Sequence, residues 1–146
     1  MPKFERTAES VWEGDLRNGA GKLTTSSGVL ADAVYRFATR FENEPGTNPE
    51  ELIAAAHAGC FNMALASTLK KKGHEPNRLH TTAVCTIESK ESGGFEITRM
   101  HLAIRGSVDA LSESEFKEIV EEADRGCPVS NLLRSSLQIE REVSLE

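Results

Sequence analysis

The sequence predicts an α+β fold, with antiparallel sheets wrapped around a long central helix. Three observations predict it. Segments of period-two alternation stand at both ends of the chain, an uncharged Ala-rich run from Leu52 to Leu69 fills its middle, and hairpin signals outnumber crossovers. At 146 residues the chain has the length of one domain, and residues 1–146 are read as such.

The elements follow in order. Phe4–Glu13 carries Val11 and Trp12 among polar residues and ends at Gly14, which reads as a strand. Asn18-Gly19 is a hairpin-turn dipeptide, and Gly21–Ser27 is a short polar strand broken by Gly28. Tyr35, Phe37, Thr39 and Phe41 alternate with Val34, Arg36, Ala38 and Arg40, a strand pattern with one aromatic face and one arginine-bearing face. Asn48-Pro49-Glu50-Glu51 is then a helix start: an N-cap, a proline at the first position, and two carboxylates at the positive end of the dipole. The helix should run through Leu69 to Lys70-Lys71-Lys72 and a Gly73 cap, roughly 36 Å long. Two strands follow. Leu79, Ala83, Cys85 and Ile87 share a face of the first, Ser92-Gly93-Gly94 turns the chain, and Phe95–Val108 points Met100, Leu102 and Ile104 inward. Ser112-Glu113-Ser114-Glu115 opens a helix that turns Phe116, Ile119 and Val120 inward and ends at Gly126. Cys127-Pro128 starts another helix, and Leu137–Leu145 closes the chain as a strand.

The uncharged run contains His57, Asn62, Ser67 and Thr68, and a bilayer span takes about 20 predominantly apolar residues, so a helix enclosed by protein is the better reading. One small chain cannot cover such a helix on every side, which points to a homodimer. Seventeen Lys and Arg against 23 Asp and Glu give a net charge of −6, which argues against a duplex-binding protein. Three cysteines make no disulfide scaffold, and Met1–Arg6 carries no apolar leader, so a reducing, cytoplasmic setting is expected.

Chemistry concentrates on the cysteines. Cys60 sits mid-helix, where a thiol is ordinarily a small core hydrophobe. Cys127 sits at a helix start, where backbone N–H groups and the dipole favour a thiolate. An interior thiol and one at a helix start fit an attacking and a resolving sulfur. Cys85, on an apolar strand face, reads as core. His57 lies three residues before Cys60 and could begin a metal site, but no second pair at ligand spacing follows.

Several motifs carry a family resemblance over essentially the whole chain. They are Trp12-Glu13-Gly14-Asp15, Ser26-Ser27-Gly28-Val29-Leu30, Thr39-Arg40-Phe41-Glu42, Gly46-Thr47-Asn48-Pro49-Glu50-Glu51-Leu52, Ala55-Ala56-His57-Ala58-Gly59-Cys60-Phe61 and Gly126-Cys127-Pro128-Val129-Ser130. In these the sequence resembles the OsmC/Ohr family of thiol-dependent peroxidases, its OsmC branch more closely than its Ohr branch. The resemblance implies an intertwined homodimer with two active sites at the interface, and no cofactor. It implies reduction of organic hydroperoxides, and of hydrogen peroxide less well. Cys60 matches the peroxidatic cysteine, Cys127 the resolving one and Glu50 the catalytic glutamate. Arg40 matches the arginine of the OsmC branch; in the Ohr branch the arginine comes from an earlier segment, near Arg17 here. The Ohr branch also implies a dithiol reductant such as a lipoylated protein.

These residue types suit peroxide chemistry. The thiolate attacks the O–O bond; a guanidinium offsets the burial that would keep a thiol protonated, and a glutamate orients it. Ten residues, about 15 Å of helix, separate Glu50 from Cys60, so the glutamate must meet the cysteine across the dimer, from a bent segment, or outside the resting state. Two other readings fit the residues alone: a carrier for apolar ligands, and a structural dimer module with inert cysteines.

Overall fold

The computed structural model describes every residue from Met1 to Glu146. Its contacts group them into two units, Met1–Leu52 and Ile53–Glu146.

The first unit is an antiparallel meander, β1 (Ala8–Glu13), β2 (Ala20–Thr25) and β3 (Ala33–Tyr35), in that order across the sheet. The β1–β2 connection is longer than the two-residue hairpin expected at Asn18-Gly19. Asp15 closes it, its Oδ1 accepting the Asn18 N–H at 2.7 Å and its carbonyl the Gly19 N–H at 2.8 Å. The carboxylate accepts from Asn18 twice, from its backbone N–H and from Nδ2 at 3.2 Å, and these bonds hold Asp15 below its ordinary pKa.

The expected strand through Phe41 ends early. β3 stops at Tyr35 and a single helical turn follows, α1 (Phe37–Phe41), so Arg40 stands on a helix and not on a strand. The cause is local. Thr39 Oγ1 accepts the Arg36 N–H at 2.9 Å and donates to the Arg36 carbonyl at 3.0 Å, and Phe37 and Phe41, four apart, bring their rings to 5.1 Å. Asn48 then joins this turn to the next helix. Its Oδ1 accepts the Glu51 N–H at 2.8 Å, the expected cap, while its Nδ2 donates to the Thr39 carbonyl at 3.0 Å. The Glu51 carboxylate takes the Thr47 hydroxyl, at 2.8 Å. Helix α2 (Pro49–Lys71) begins here.

The second unit holds the rest of α2, then β4 (Pro76–Ser89), β5 (Phe95–Val108), α3 (Glu113–Gly126), α4 (Pro128–Leu133) and β6 (Gln138–Leu145). Helix α2 stops where the sequence says. Gly73 takes φ +85°, its N–H donates to the Lys70 carbonyl at 3.0 Å, and the His74 N–H reaches back to Leu69 at 2.9 Å. The sheet order is β4-β5-β6. β4 and β5 are antiparallel, but β6 lies parallel to β5, because α3 and α4 carry the chain back across the sheet between them. The sheets are therefore antiparallel except along this one pair.

The core is one cluster. His57, Phe61, Leu65 and Leu69 of α2 follow one another at four-residue steps and are fully buried, and all but His57 belong to the apolar cluster with Met100, Leu102 and Ile104 of β5 and Phe116, Val120 and Ala123 of α3. Gly106 of β5 lies beneath the Phe116 ring; a Cβ there would sit only 2.9 Å from Cε1 and closer still to Cζ. The opposite face of α2 is apolar and uncovered: Ala55, Ala56, Gly59 and Met63 are exposed, Met63 to 77%. By length and composition α2 could cross a bilayer, but its inner face packs on the sheet, with the Thr81 hydroxyl of β4 donating to Asn62 at 2.6 Å.

Candidate active site

Two groupings contain the residues singled out from the sequence. In the second unit, Cys60 and Cys127 meet although they are 67 positions apart: their sulfurs stand 3.4 Å from one another. Cys60 comes from the middle of α2, and Cys127 caps both the end of α3 and the start of α4. The cap is a sulfur cap, the Cys127 Sγ accepting the Ser130 N–H at 3.5 Å, and Pro128 occupies the first helical position. Cys127 is fully buried and Cys60 half-buried.

Burial pushes the Cys60 thiol above its ordinary pKa; a hydrogen bond from the Val129 N–H pulls the other way, and the adjoining Cys127 adds to the rise. The resting thiol is thus protonated at neutral pH unless a cation is brought to it.

In the first unit, Arg40 and Glu50 form a forked ion pair. Arg40 Nη2 donates to Glu50 Oε1 at 2.7 Å, and Nε lies 3.1 and 3.2 Å from the two carboxylate oxygens. Glu50, in the first turn of α2, is buried, while the Arg40 side chain keeps about a third of its surface and packs over the Phe41 ring. The alternative arginine, Arg17, sits over the Phe37 ring of the same short helix, 4.6 Å from its centroid.

The fold is shared with known proteins. A family model described as OsmC-like protein matches residues 41–142. The chain is 42% identical over 137 residues to Peroxiredoxin OsmC of Escherichia coli (strain K12), covering 94% of this chain and 95% of that one. It is 29% identical over 124 residues to the organic hydroperoxide resistance protein OhrB of Bacillus subtilis, covering 85% and 89%. Among solved structures, an organic hydroperoxide resistance protein from Elizabethkingia anophelis superposes with a TM-score of 0.76 at 25% identity over the full length of both chains. The crystal structure of B. subtilis OhrB superposes at 0.72 with 27% identity, covering 94% of this chain and 98% of that one. The chain belongs to the OsmC-like family.

For this OsmC-like chain the sequence reading overlooked a buried polar network beside the thiols. His57 is fully buried, with Nε2 2.7 Å from the hydroxyl of the fully buried Ser130 and Nδ1 without a partner. Burial pushes His57 below its ordinary pKa, the Asp124 charge opposing and the Arg134 charge adding to the fall. Asp124 is itself 1% exposed. Its Oδ2 accepts Arg134 Nη1 at 2.8 Å and Arg141 Nη1 at 2.6 Å, and its carbonyl accepts Arg134 Nη2 at 3.1 Å. One sign of it was available. Phe116, Val120 and Asp124 fall at four-residue steps on the inward face of α3, and an aspartate on an apolar stripe calls for buried partners. His57 and Cys60 are joined by no third His, Cys, Asp or Glu in a set that could hold a metal ion.

Cys85 lies on β4, half-buried against the core cluster.

Proposed function

We propose that this chain is a thiol-dependent peroxidase that reduces organic hydroperoxides, and hydrogen peroxide less well, with Cys60 as the attacking and Cys127 as the resolving sulfur. The observation that carries the reading is the 3.4 Å contact between the two sulfurs. The names of the relatives, a peroxiredoxin and organic hydroperoxide resistance proteins, support the substrate class.

The Cys60 thiolate attacks the distal oxygen of ROOH. The O–O bond breaks, an S–O bond forms, and the alkoxide takes a proton to leave as ROH. Cys127 then attacks the sulfenic sulfur; the S–S bond forms, and the hydroxyl leaves with the Cys127 proton as water. A dithiol reductant restores both thiols by exchange and becomes a disulfide itself. Lipoyl-type dithiols are the reductant class that the Ohr branch supports.

Ionising Cys60 is the demanding step, because burial opposes it. Arg40 is proposed to supply the cation, and Glu50 to hold its guanidinium in one orientation through the forked pair. Together they would also stabilise charge on the departing alkoxide. The pair is proposed to act at the interface of a homodimer, where the exposed apolar face of α2 is covered by the second copy.

The test is mass spectrometry of the reduced protein after one equivalent of cumene hydroperoxide. A Cys60–Cys127 crosslink is expected, and Cys60→Ser should abolish dithiol-dependent turnover. Turnover that survives Cys60→Ser refutes the assignment.

A further inference from the structure

The polar contacts around α4 take no part in the steps above, yet they hold the helix that Cys127 caps. Helix α4 is tied to α2 twice. One tie is the sulfur pair. The other is His57 Nε2 to Ser130 Oγ at 2.7 Å, between two fully buried residues. His57 and Cys60 are three apart, so the two ties leave neighbouring places on α2. They arrive at the first turn of α4, where the Ser130 N–H in turn donates to Cys127 Sγ. At the far end of α4, its C-cap residue Arg134 is held by Asp124 through both the carboxylate and the carbonyl.

Bonding the two sulfurs requires closing 3.4 Å to about 2.05 Å, so the first turn of α4 must advance while staying aimed at Cys60. A buried strut one turn away along α2 can keep that aim. Without it, α4 remains anchored at Arg134 and loosens at the end that carries Cys127.

We propose that the His57–Ser130 pair positions Cys127 for resolution, so that disulfide formation outruns a second oxidation of Cys60. This rests on the peroxidase reading. The two competing steps share one intermediate. In resolution Cys127 displaces the hydroxyl of the sulfenic acid and water leaves. In over-oxidation a second ROOH transfers an oxygen to the same sulfur, giving a sulfinic acid and ROH. His57 and Ser130 act here as positioning residues, through Cys127.

The experiment compares the native chain with Ser130→Ala, His57→Leu and the double variant. Each is reduced, mixed with cumene hydroperoxide and quenched at intervals, with mass spectrometry counting free thiol, disulfide and sulfinic acid. Each single variant should form disulfide about tenfold more slowly, with Cys60 consumed at a rate within about twofold of native and sulfinic acid rising with peroxide concentration. Thermal midpoints separate positioning from simple destabilisation. A single variant leaves a buried polar group orphaned, whereas the double variant removes both partners and regains stability. Resolution should stay slow in the double variant all the same, and no slower than in the singles, because one contact has been lost. If a single variant does not fold, the double variant carries the test. The proposal fails if disulfide forms at the native rate in the variants, if both steps slow alike, or if resolution recovers along with stability. A native chain that forms no Cys60–Cys127 disulfide overturns the peroxidase reading and this one with it; a native chain that does, beside unaffected variants, overturns this one alone.

Discussion

Oxidation by one equivalent of hydroperoxide should stabilise the protein, by an amount that the positions of the cysteines set. A Cys60–Cys127 bond closes a loop of 67 residues. In the chain-entropy treatment, a crosslink of that span lowers the entropy of the unfolded state by enough to stabilise the fold by about 4 kcal/mol. Against this stands the movement of the first turn of α4 that brings 3.4 Å down to about 2.05 Å. The core loses little by it, since Leu132 on α4 is 74% exposed and only partly buried Val129 and Leu133 pack on the cluster. A net gain of about 3 kcal/mol is expected, raising the thermal midpoint by about 10 °C for a chain of this size. Differential scanning calorimetry at one protein concentration, reduced against oxidised, measures it, with Cys127→Ser as the control that should show no gain. An oxidised native protein that melts at or below the reduced one, while carrying the crosslink, would refute the reasoning that the fold holds the two sulfurs close to bonding geometry.

Arg40→Gln should cut hydroperoxide turnover by about 10²–10³-fold, and thiolate absorbance against pH should show Cys60 ionising at a higher pH than in the native chain, since burial then goes unopposed; a titration identical to the native one would remove Arg40 from the mechanism. Asp124→Asn weakens two charge-assisted hydrogen bonds to partly solvated arginines, so chemical denaturation should show a loss of about 2 kcal/mol, against near-native stability if the network is idle. His57 is held below its ordinary pKa in the fold, so the stability it contributes is complete above pH 6.5 and is lost as pH falls through the lowered folded value; urea midpoints from pH 7.5 to 5 should fall in the native chain and fall less in His57→Leu. Met63→Glu places a charge on the exposed apolar face of α2 and should shift the particle measured by light scattering from the proposed dimer toward monomer.

Features governed by neighbouring residues were legible in the sequence, and those governed by distant ones were not. The start of α2 at Asn48-Pro49, its end at Gly73 and the sulfur cap at Cys127-Pro128 are each settled by residues close along the chain, and each stands where it was read. The alternation of β5 likewise puts Met100, Leu102 and Ile104 inside. Residues 35–41 failed because Phe37 and Phe41 satisfy both a two-residue and a four-residue period, and five residues are too few to choose. What decides is Thr39, whose hydroxyl bonds the Arg36 backbone and whose carbonyl takes Asn48. The direction of β6 was hidden because alternation is the same in parallel and antiparallel strands. The polar network was hidden by separation: His57 and Ser130 are 73 positions apart, and Asp124 draws Arg141 from another element.

The closeness of the two sulfurs helps one half of the proposed cycle and hinders the other. A neighbouring thiol in a poorly solvated place cannot stabilise a thiolate as water would, and Cys127 indeed adds to the rise that burial imposes on Cys60. Contact at 3.4 Å therefore disfavours the attacking form while leaving the condensation of thiol with sulfenic acid almost nothing to search for. Resolution needs the two sulfurs within reach of one another, so the arrangement suits the second step. The first step needs a positive charge from elsewhere, and the single amide of Val129 is a small fraction of one. An arginine locked by a buried carboxylate is suited to that task, since its charge is permanent and its fork already oriented. Activation and resolution would then be separable by mutation: residues 40 and 50 govern how fast Cys60 is oxidised, and residues 57 and 130 govern what becomes of it afterwards.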